Sequence, residues 1–487
     1  MTSTWQIDDF LTVLDGRLHI DGHDAVALAR EHGTPLFVYS EPRIRHNIER
    51  LQKVASVVGC AFKLCYAAKA MSTLGILRVV KAAGCDLEVN SGGELWKALQ
   101  AGFTGDHLNF NGLSKEVWEI EMAIENGVYA IQADSLYELS LIEETAKRLG
   151  KKANVSLRMV PEIESGTHSG LQTALLTSKF GMMPDEAFAA FAKYKGSEHM
   201  NLCGIHLHIG SQNPTEDVYT EAFAEMFGAL LRIYRETGIR LKHINLGGGF
   251  PVNYLRDGSQ ADDFPAAQRE MFEADFEPAS AMKAAWDAVR AQAERENALD
   301  LIEGITLLLE PGRSIIADAA VCLTTVRNAK QRPVTNEQRT MDNGQSGNDE
   351  LSTVHYPLST DLWLLTDAGF NILLSMETYK WYYHLISAER AGEDHSTPYK
   401  LAGPLCDGGD VYFDIEGEGR LPDHRLLPEN VQPGEVLALL NCGAYSLAQA
   451  SQYNGRFLPP VVLTKADGTA ELIRRRDTFE DLIASDL

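Results

Sequence analysis

The pattern of apolar and polar positions divides residues 61–309 into eight short apolar runs with longer, helix-spaced stretches between them. Stretches such as 91–101 and 135–149 begin with a serine, a residue that caps helices. This regular alternation favours a parallel sheet with right-handed crossovers, and eight strands favour a closed (β/α)8, TIM-like barrel. The predicted barrel strands are Ala61–Ala67, Cys85–Val89, His107–Phe110, Tyr129–Ala133, Asn154–Val160, Leu202–Ile209, His243–Leu246 and Thr306–Leu309.

After Arg313 the pattern changes to β-rich runs with few long helices, which predicts a C-terminal all-β domain. The first forty residues predict a strand, a helix and a second strand that precede the barrel, and we expect this N-terminal segment to join the β domain. Residues 327–353 are polar and poor in aromatic side chains, which predicts a mobile insertion. The predicted division is an N-terminal segment at 1–42, a barrel at 43–315 and a β domain at 316–487.

Composition and charge exclude several classes of partner and of binding site. A net charge of −24, from 68 acidic against 44 basic residues, argues against nucleic acid and anionic membranes as partners. Seven dispersed cysteines without a Cys-x-x-Cys pair fit neither a disulfide framework nor a zinc site. The chain shows no signal peptide pattern and no apolar stretch long enough to span a membrane. We therefore expect a cytoplasmic protein that acts on a small molecule.

Residues with evident chemistry stand where the predicted strands end, which is the active face of such barrels. Lys69 follows Tyr-Ala-Ala, whose small side chains leave room for a planar ring. Dry surroundings would lower the pKa of this lysine toward a nucleophilic amine, as a Schiff base requires. The alternative is a lysine that only extends from the strand end into solvent.

Four further features share this face. The three glycines 247–249 allow backbone N–H groups to approach an anion closely, although a tight turn explains them equally well. Arg313 suits a phosphate or a carboxylate. Glu310 ends an apolar run and needs a cationic partner, either a pyridinium nitrogen or an arginine such as Arg313. His206 and His208 share one strand face, which leaves metal binding as an alternative to core packing.

Together these residues resemble the fold-type III pyridoxal-phosphate decarboxylases, the family of the ornithine, diaminopimelate and arginine decarboxylases, and are most similar to its diaminopimelate decarboxylases. The ordered motifs run from about residue 33 to 460. They are Tyr66-Ala-Ala-Lys69-Ala, Ser91-Gly-Gly-Glu94-Leu, Ser178-Lys-Phe-Gly-Met182, His208-Ile-Gly-Ser-Gln212, Gly247-Gly-Gly249, Glu310-Pro-Gly-Arg313, Gly403-Pro-Leu-Cys406-Asp407 and Gly443-Ala-Tyr445.

The resemblance implies pyridoxal 5'-phosphate as cofactor, an amino acid as substrate and a homodimer with its active sites at the subunit interface. It implies catalytic roles for Lys69 as the Schiff-base lysine, His208 as the residue stacked on the ring and Cys406 as the proton donor from the neighbouring subunit. The implied cofactor contacts are Lys69, Glu88, His208, Ser211, Gly248, Gly249, Glu310, Gly312, Arg313 and Tyr445. The implied substrate contacts are Arg313, Ser375, Tyr379 and Asp407, and no metal is expected.

Departures from the family pattern bear on the substrate. Ser375 stands where diaminopimelate decarboxylases carry an arginine for the far carboxylate, Asp407 replaces a glutamate, and Glu88 replaces an aspartate. Losing a charged contact costs on the order of 2–3 kcal/mol of discrimination. Decarboxylation of another diamino or conjugated amino acid is therefore the main alternative. Racemisation on a related barrel, or a homologue that has lost its cofactor, are weaker alternatives.

Overall fold

The computed structural model describes residues 5–7, 9–160, 179–256, 259–333 and 360–487. Near the N-terminus, three strands form an antiparallel sheet. The Asp24 side chain accepts hydrogen bonds from the backbone N–H groups of Val26 and Ala27 and so caps the first helix. The elements of this segment are β1 (Leu11–Leu14), β2 (Arg17–Ile20), β3 (His23–Asp24), α1 (Ala25–His32) and β4 (Leu36–Ser40).

The next eight strands are parallel and close into a barrel, as the sequence predicts. The barrel is closed by pairing between its first strand and its last, with Ala61 beside Thr306. Only the ends of the strands differ from the prediction, by up to three residues. The strands are β5 (Ala61–Ala67), β6 (Asp86–Val89), β7 (Leu108–Phe110), β8 (Ala130–Ala133), β9 (Ala153–Arg158), β10 (Met200–His206), β11 (His243–Asn245) and β12 (Thr306–Leu309).

Helices cover the outside of the barrel. The Ser91 and Ser135 hydroxyls accept hydrogen bonds from the N–H groups of Glu94 and Glu138, which confirms both serines as helix caps. The helices of the barrel region are α2 (Glu41–Gln52), α3 (Leu74–Ala82), α4 (Gly92–Gln100), α5 (Val117–Glu125), α6 (Leu136–Leu149), α7 (Pro184–Tyr194), α8 (Asp217–Thr237), α9 (Ala266–Glu273), α10 (Pro278–Arg295), α11 (Leu299–Glu303) and α12 (Arg313–Ile316).

The C-terminal residues build a mixed sheet, and β4 lies inside it between β13 and β19, so the N-terminal segment does join the β domain. The elements are β13 (Ala320–Pro333), β14 (Thr360–Thr366), α13 (Leu374–Thr378), β15 (Leu385–Ser387), β16 (Thr397–Ala402), β17 (Arg425–Leu427), β18 (Val436–Leu440), β19 (Val461–Thr464), β20 (Ala470–Arg474) and α14 (Phe479–Leu482).

The predicted insertion begins too early. Residues 327–333 continue β13 and pair with β14, because backbone pairing compensates for their exposed, polar side chains. The rest of the predicted insertion, 334–353, lies outside the described residues. The domain boundaries after residues 42 and 315 stay a prediction.

Two buried apolar clusters hold the structure. The larger fills the barrel and its helices and continues into the facing side of the β domain, where Tyr383 and Leu439 contact it. The smaller joins the N-terminal segment to the other side of the β sheet, through residues such as Leu18 and Val321. The β domain is therefore fixed against the barrel. Among the described residues, no helix combines the length and apolarity needed to cross a membrane.

Candidate active site

A cavity of about 550 Å³ opens where the barrel strands end, and one side of it is closed by the β domain. It brings together side chains from six barrel strands or the loops after them with residues after residue 370. The predicted site residues that line it are Lys69, Glu88, His208, Ser211, Glu310, Arg313, Ser375, Tyr379 and Tyr445. Gly249 and Gly312 line a small adjoining space together with Ser211, Arg313 and Tyr445.

Lys69 extends into this cavity directly after β5, with Ala68 and Ala70 buried on either side. Burial opposes its charge, but the neighbouring carboxylates of Glu88 and Glu310 outweigh burial and raise the pKa of Lys69. The prediction of a lowered lysine pKa is therefore wrong for the side chain without a bound partner. The reason is that the walls carry negative charge, which the apolar sequence around Lys69 does not reveal.

Glu310 follows β12 and is 5 % exposed. Its carboxylate accepts hydrogen bonds from the side-chain amides of Asn109, Asn111 (2.8 Å) and Asn245 (2.7 Å). His206 Nε2 lies 3.4 Å from the same carboxylate. Burial opposes the charge, but His206 and the amide donors outweigh burial and hold the pKa of Glu310 below its usual range. A fixed negative charge therefore lies on the cavity wall.

These partners of Glu310 were missed by the sequence analysis. Asn109 and Asn245 lie within apolar strands, and Asn111 follows β7 by one residue. Polar amides near the ends of strands that are otherwise buried were the available signal. The predicted alternative of an ion pair between Glu310 and Arg313 is not found among the described residues, where Arg313 bonds elsewhere.

Arg313 is a buried cation whose hydrogen-bond partners are neutral. Its Nε donates to Ser211 Oγ at 3.1 Å and its Nη1 donates to the Tyr254 hydroxyl at 3.0 Å. The guanidinium also lies over the rings of Trp381 and Tyr445, at 4.2 and 4.9 Å from their centroids. Among the described residues no carboxylate lies within salt-bridge distance of it. A buried guanidinium without an anion fits a site for a phosphate or carboxylate group.

The glycine turn and Tyr445 shape the space beside Arg313. A Cβ at Gly248 would come within 2.5 Å of the Glu310 carbonyl oxygen, so a side chain there would push the two strand ends apart. Tyr445 has a φ of 57°, in the left-handed region that costs a non-glycine residue about 1–2 kcal/mol. Its N–H group donates to the Ala70 carbonyl, which ties this strained residue to the turn that carries Lys69.

His208 is held neutral and oriented. Burial, together with the positive charges of Lys69 and Arg158, lowers its pKa well below the usual value. Its Nδ1 accepts a hydrogen bond from the Gly248 N–H at 3.4 Å, which leaves Nε2 to carry the proton. A neutral, oriented imidazole is suited to stacking on an aromatic ring. No cluster of three or more potential ligands for a metal occurs in the described ranges.

The other wall of the cavity is uncharged. Ser375 Oγ lies 3.5 Å from the Tyr445 carbonyl and 3.4 Å from Gln449 Oε1, and Tyr379 lies beside it. Gln449 also lines the cavity and was missed by the sequence analysis. Cys406 and Asp407 are exposed on the β domain and do not line the cavity of their own chain. Asp407 instead accepts a hydrogen bond from the Tyr453 hydroxyl at 3.2 Å.

Comparison with known proteins identifies the family. The model of the pyridoxal binding domain of pyridoxal-dependent decarboxylases matches residues 43–317. The chain belongs to this family. Its members are amino-acid decarboxylases that depend on pyridoxal phosphate, so the predicted enzyme class and cofactor are confirmed. The family membership also fits the walls of the cavity, which combine an amine, a fixed carboxylate and a guanidinium without an anion.

Similarity to individual members of the family extends over nearly the whole chain. The diaminopimelate decarboxylase of Methanocaldococcus jannaschii is 34% identical, over 99% of this chain and 97% of the relative. That of Bacillus subtilis is 32% identical, over 97% and 95%. A crystal structure of the M. jannaschii enzyme in complex with L-lysine superposes with a TM-score of 0.80, at 32% identity, and covers 99% of this chain and 98% of that chain.

Proposed function

We propose that this decarboxylase acts on meso-diaminopimelate and removes the carboxylate next to one of its amino groups as CO2. The observation that carries the proposal is that Lys69, Glu310 and Arg313 line one cavity in a chain similar over its whole length to diaminopimelate decarboxylases. Lys69 would hold the aldehyde of pyridoxal phosphate. Glu310 would face the ring nitrogen, and His208 would stack on the ring.

Bound pyridoxal phosphate supplies an electron-poor ring that takes up the electron pair left when the Cα–carboxylate bond breaks. In the proposal, the fixed charge of Glu310 keeps a proton on the ring nitrogen, which strengthens that electron withdrawal. Ser211, the glycines at 248, 249 and 312, and Tyr445 would bind the phosphate. Glu88 and Glu310 are buried on the barrel side of the cavity, where charges interact more strongly than in open water.

Arg313 would bind an anionic group of the substrate or cofactor, since its guanidinium has donors left after Ser211 and Tyr254. Tyr379 and Ser375 would contact the far end of the substrate. Glu88 would lie near the Lys69 nitrogen. These assignments of single residues are proposals, and the shared cavity supports them.

A homodimer is part of the proposal, because Cys406 and Asp407 are exposed and lie outside the cavity of their own chain. Next to the cavity mouth, Val117, Trp118 and Tyr137 are exposed apolar side chains, a feature typical of interfaces. We propose that the partner subunit covers this area and places its own Cys406 loop at the cavity, where the thiol protonates the decarboxylated carbon.

A second candidate substrate is a diamino or conjugated amino acid without a far carboxylate. It is favoured by the uncharged wall formed by Ser375 and Gln449. The two candidates differ in the charge at the far end of the substrate, so a panel of substrates separates them.

The test measures CO2 release by the purified protein from meso-diaminopimelate, lysine, ornithine, arginine and 2,3-diaminopropionate conjugates. We expect release from meso-diaminopimelate together with a visible absorbance band that K69A lacks. CO2 release from another diamino acid, with none from meso-diaminopimelate, would favour the second candidate substrate. The variant Ser375→Arg should then shift the substrate preference toward diaminopimelate. A wild-type protein that binds no pyridoxal phosphate would overturn the proposal.

The dimer is tested by mixing K69A with C406A, each inactive alone. If the sites are shared, mixed dimers contain one native site and activity returns. No recovery after subunit exchange would contradict the shared site.

A further inference from the structure

The cavity contains a second buried carboxyl group, that of Glu88, whose surroundings differ from those of Glu310. Glu88 lies on β6, pairs with Ala67 on one side and Asn109 on the other, and lines the cavity beside Lys69. It is 1 % exposed, and among the described residues neither carboxyl oxygen forms a hydrogen bond within 3.5 Å, although the nearby Asn111 amide favours its charge. A buried carboxylate without a donor is costly, so this group needs either a proton or a cation.

Other groups around Glu88 have partners already. Glu310 accepts from three amides. Glu94 Oε2 accepts from the Asn90 N–H at 2.8 Å. Arg158 stacks on Phe180 at 4.2 Å and lies 4.0 Å from Asp134. His206 contacts the Glu310 carboxylate at 3.4 Å, and burial lowers the pKa of His208 well below its usual value.

Lys69 is the cation whose charge acts most strongly on Glu88. Its Nζ has no salt bridge within 4.0 Å and no hydrogen bond among the described residues, although the charges of Lys69 and Glu88 act on each other. The two side chains leave β5 and β6 next to each other, since Ala67 pairs with Glu88. A lysine that is released from the cofactor therefore has one unpartnered acid within the same cavity.

We propose that Glu88 is a positioning residue for Lys69: it keeps a proton while Lys69 is bound to the cofactor, and transfers it to the Lys69 amine when the substrate displaces that amine. In this transfer, the Glu88 carboxylic acid and the free Lys69 amine become a carboxylate and an ammonium. The O–H bond breaks, an N–H bond forms, and the net charge of the pair stays zero. The Lys69 ammonium has no free electron pair, so it cannot attack the reacting carbon until it gives the proton back. This inference rests on the proposed function.

The acidity of Glu88 agrees with this role. Burial, with repulsion from Glu310 and Glu94, outweighs the attraction of Lys69 and raises the pKa of Glu88 to about 8. Below this pH the proton is present for transfer, and above it the proton is lost. The release of Lys69 should therefore be fastest below about pH 8 and slow as the pH rises through that value.

The experiment uses the full chain with bound pyridoxal phosphate. Infrared difference spectra between pH 6 and 9.5 should show a protonated carboxyl band that titrates near pH 8 and is missing in E88Q. Stopped-flow absorbance then follows the displacement of Lys69 by an α-methyl amino acid, which cannot release a Cα proton. In E88Q we expect displacement to slow about 100-fold and to lose its pH dependence. E88D keeps a carboxylic acid at this position, so the displacement rate should still depend on pH as in wild type.

E225Q removes an exposed carboxylate on α8, outside the cavity, and should behave as wild type in both measurements. If E88Q does not fold, the infrared spectra of the wild-type protein still test the inference. Absence of the protonated carboxyl band below pH 8 would overturn it. An unchanged displacement profile in E88Q would also overturn it. Failure of the proposed function looks different, because wild type would then hold no cofactor at Lys69.

Discussion

Glu310 and Glu88 are both buried on the wall of one cavity, 5 % and 1 % exposed, yet their surroundings give them opposite ionisation. Three side-chain amides and His206 surround the carboxylate of Glu310, whereas among the described residues the carboxyl oxygens of Glu88 form no hydrogen bond within 3.5 Å, although the nearby Asn111 amide favours its charge. Burial alone would raise the pKa of both. Neighbouring charges and hydrogen-bond donors, and not depth in the barrel, therefore decide which carboxyl group is a fixed anion and which carries a proton. His206 and the amides favour the charge of Glu310, whereas Glu310 itself opposes a second charge on Glu88.

The largest expected effect comes from E310Q, which keeps the shape of the side chain and removes its charge. Decarboxylation should fall by about 10²–10³-fold, the cost typical of removing one preorganised electrostatic contact. Steady-state kinetics at saturating cofactor measures this, with E225Q on α8 as the control. Near-wild-type turnover in E310Q would contradict a catalytic role for the negative charge of Glu310.

Protein stability should depend on pH with opposite sign at the two positions. Folded Glu88, with a pKa raised from 4.5 to about 8, keeps a proton that the unfolded chain loses, so its contribution falls as pH rises from 4.5 to about 8. E88Q removes this loss and should gain on wild type by up to about 1.4 kcal/mol per pH unit in that window.

The lowered pKa of Glu310 works the other way. Its stabilisation is present above the unfolded pKa of 4.5 and is lost as pH falls through the folded pKa. E310Q should therefore be destabilised at pH 7, with a difference that shrinks below pH 4.5. Urea unfolding at several pH values, at matched cofactor content, measures both variants. Parallel pH profiles of the two variants would contradict the assigned charges.

Removing single amide donors tests how much each one stabilises the charge of Glu310. N111A and N245A each remove one donor to a charged group and should cost about 1.5–3 kcal/mol of stabilisation of the Glu310 anion. The pKa of Glu310 should rise in both, and turnover should fall about tenfold or more. The acid limb of the pH–rate profile reports this change. N126A, at an exposed helix end, is the control, and equal loss there would point to a general effect on folding.

The smallest effect is expected at the uncharged wall. The hydroxyl of Ser375 makes only long contacts of 3.4–3.5 Å. S375A should therefore change KM by about threefold or less, in keeping with a neutral hydrogen bond of about 0.5 kcal/mol, and leave kcat unchanged. A large loss of kcat in S375A would show instead that Ser375 contributes to the chemical step, as the charge of Glu310 is expected to do.

Much of the fold follows from local patterns. The apolar runs predict β5 to β12 to within three residues at their ends, and Ser91 and Ser135 predict helix starts. The length of β13 was not predictable from its polar residues 327–333, because pairing with β14 stabilises it rather than its side chains. The cavity residues Lys69, Glu310 and Arg313 were predictable from their place at strand ends, since parallel strands bring those ends to one face.

Strand order and periodicity along the chain specify which residues lie at the active face. The charges of these residues depend on contacts that form across the folded barrel. Asn109, Asn111 and Asn245 are distant from Glu310 along the chain and meet it across the barrel, whereas the carboxyl oxygens of Glu88 form no hydrogen bond within 3.5 Å among the described residues. Protonation depends on distances of a few ångströms between groups on different strands, and these distances exist only after the barrel has closed.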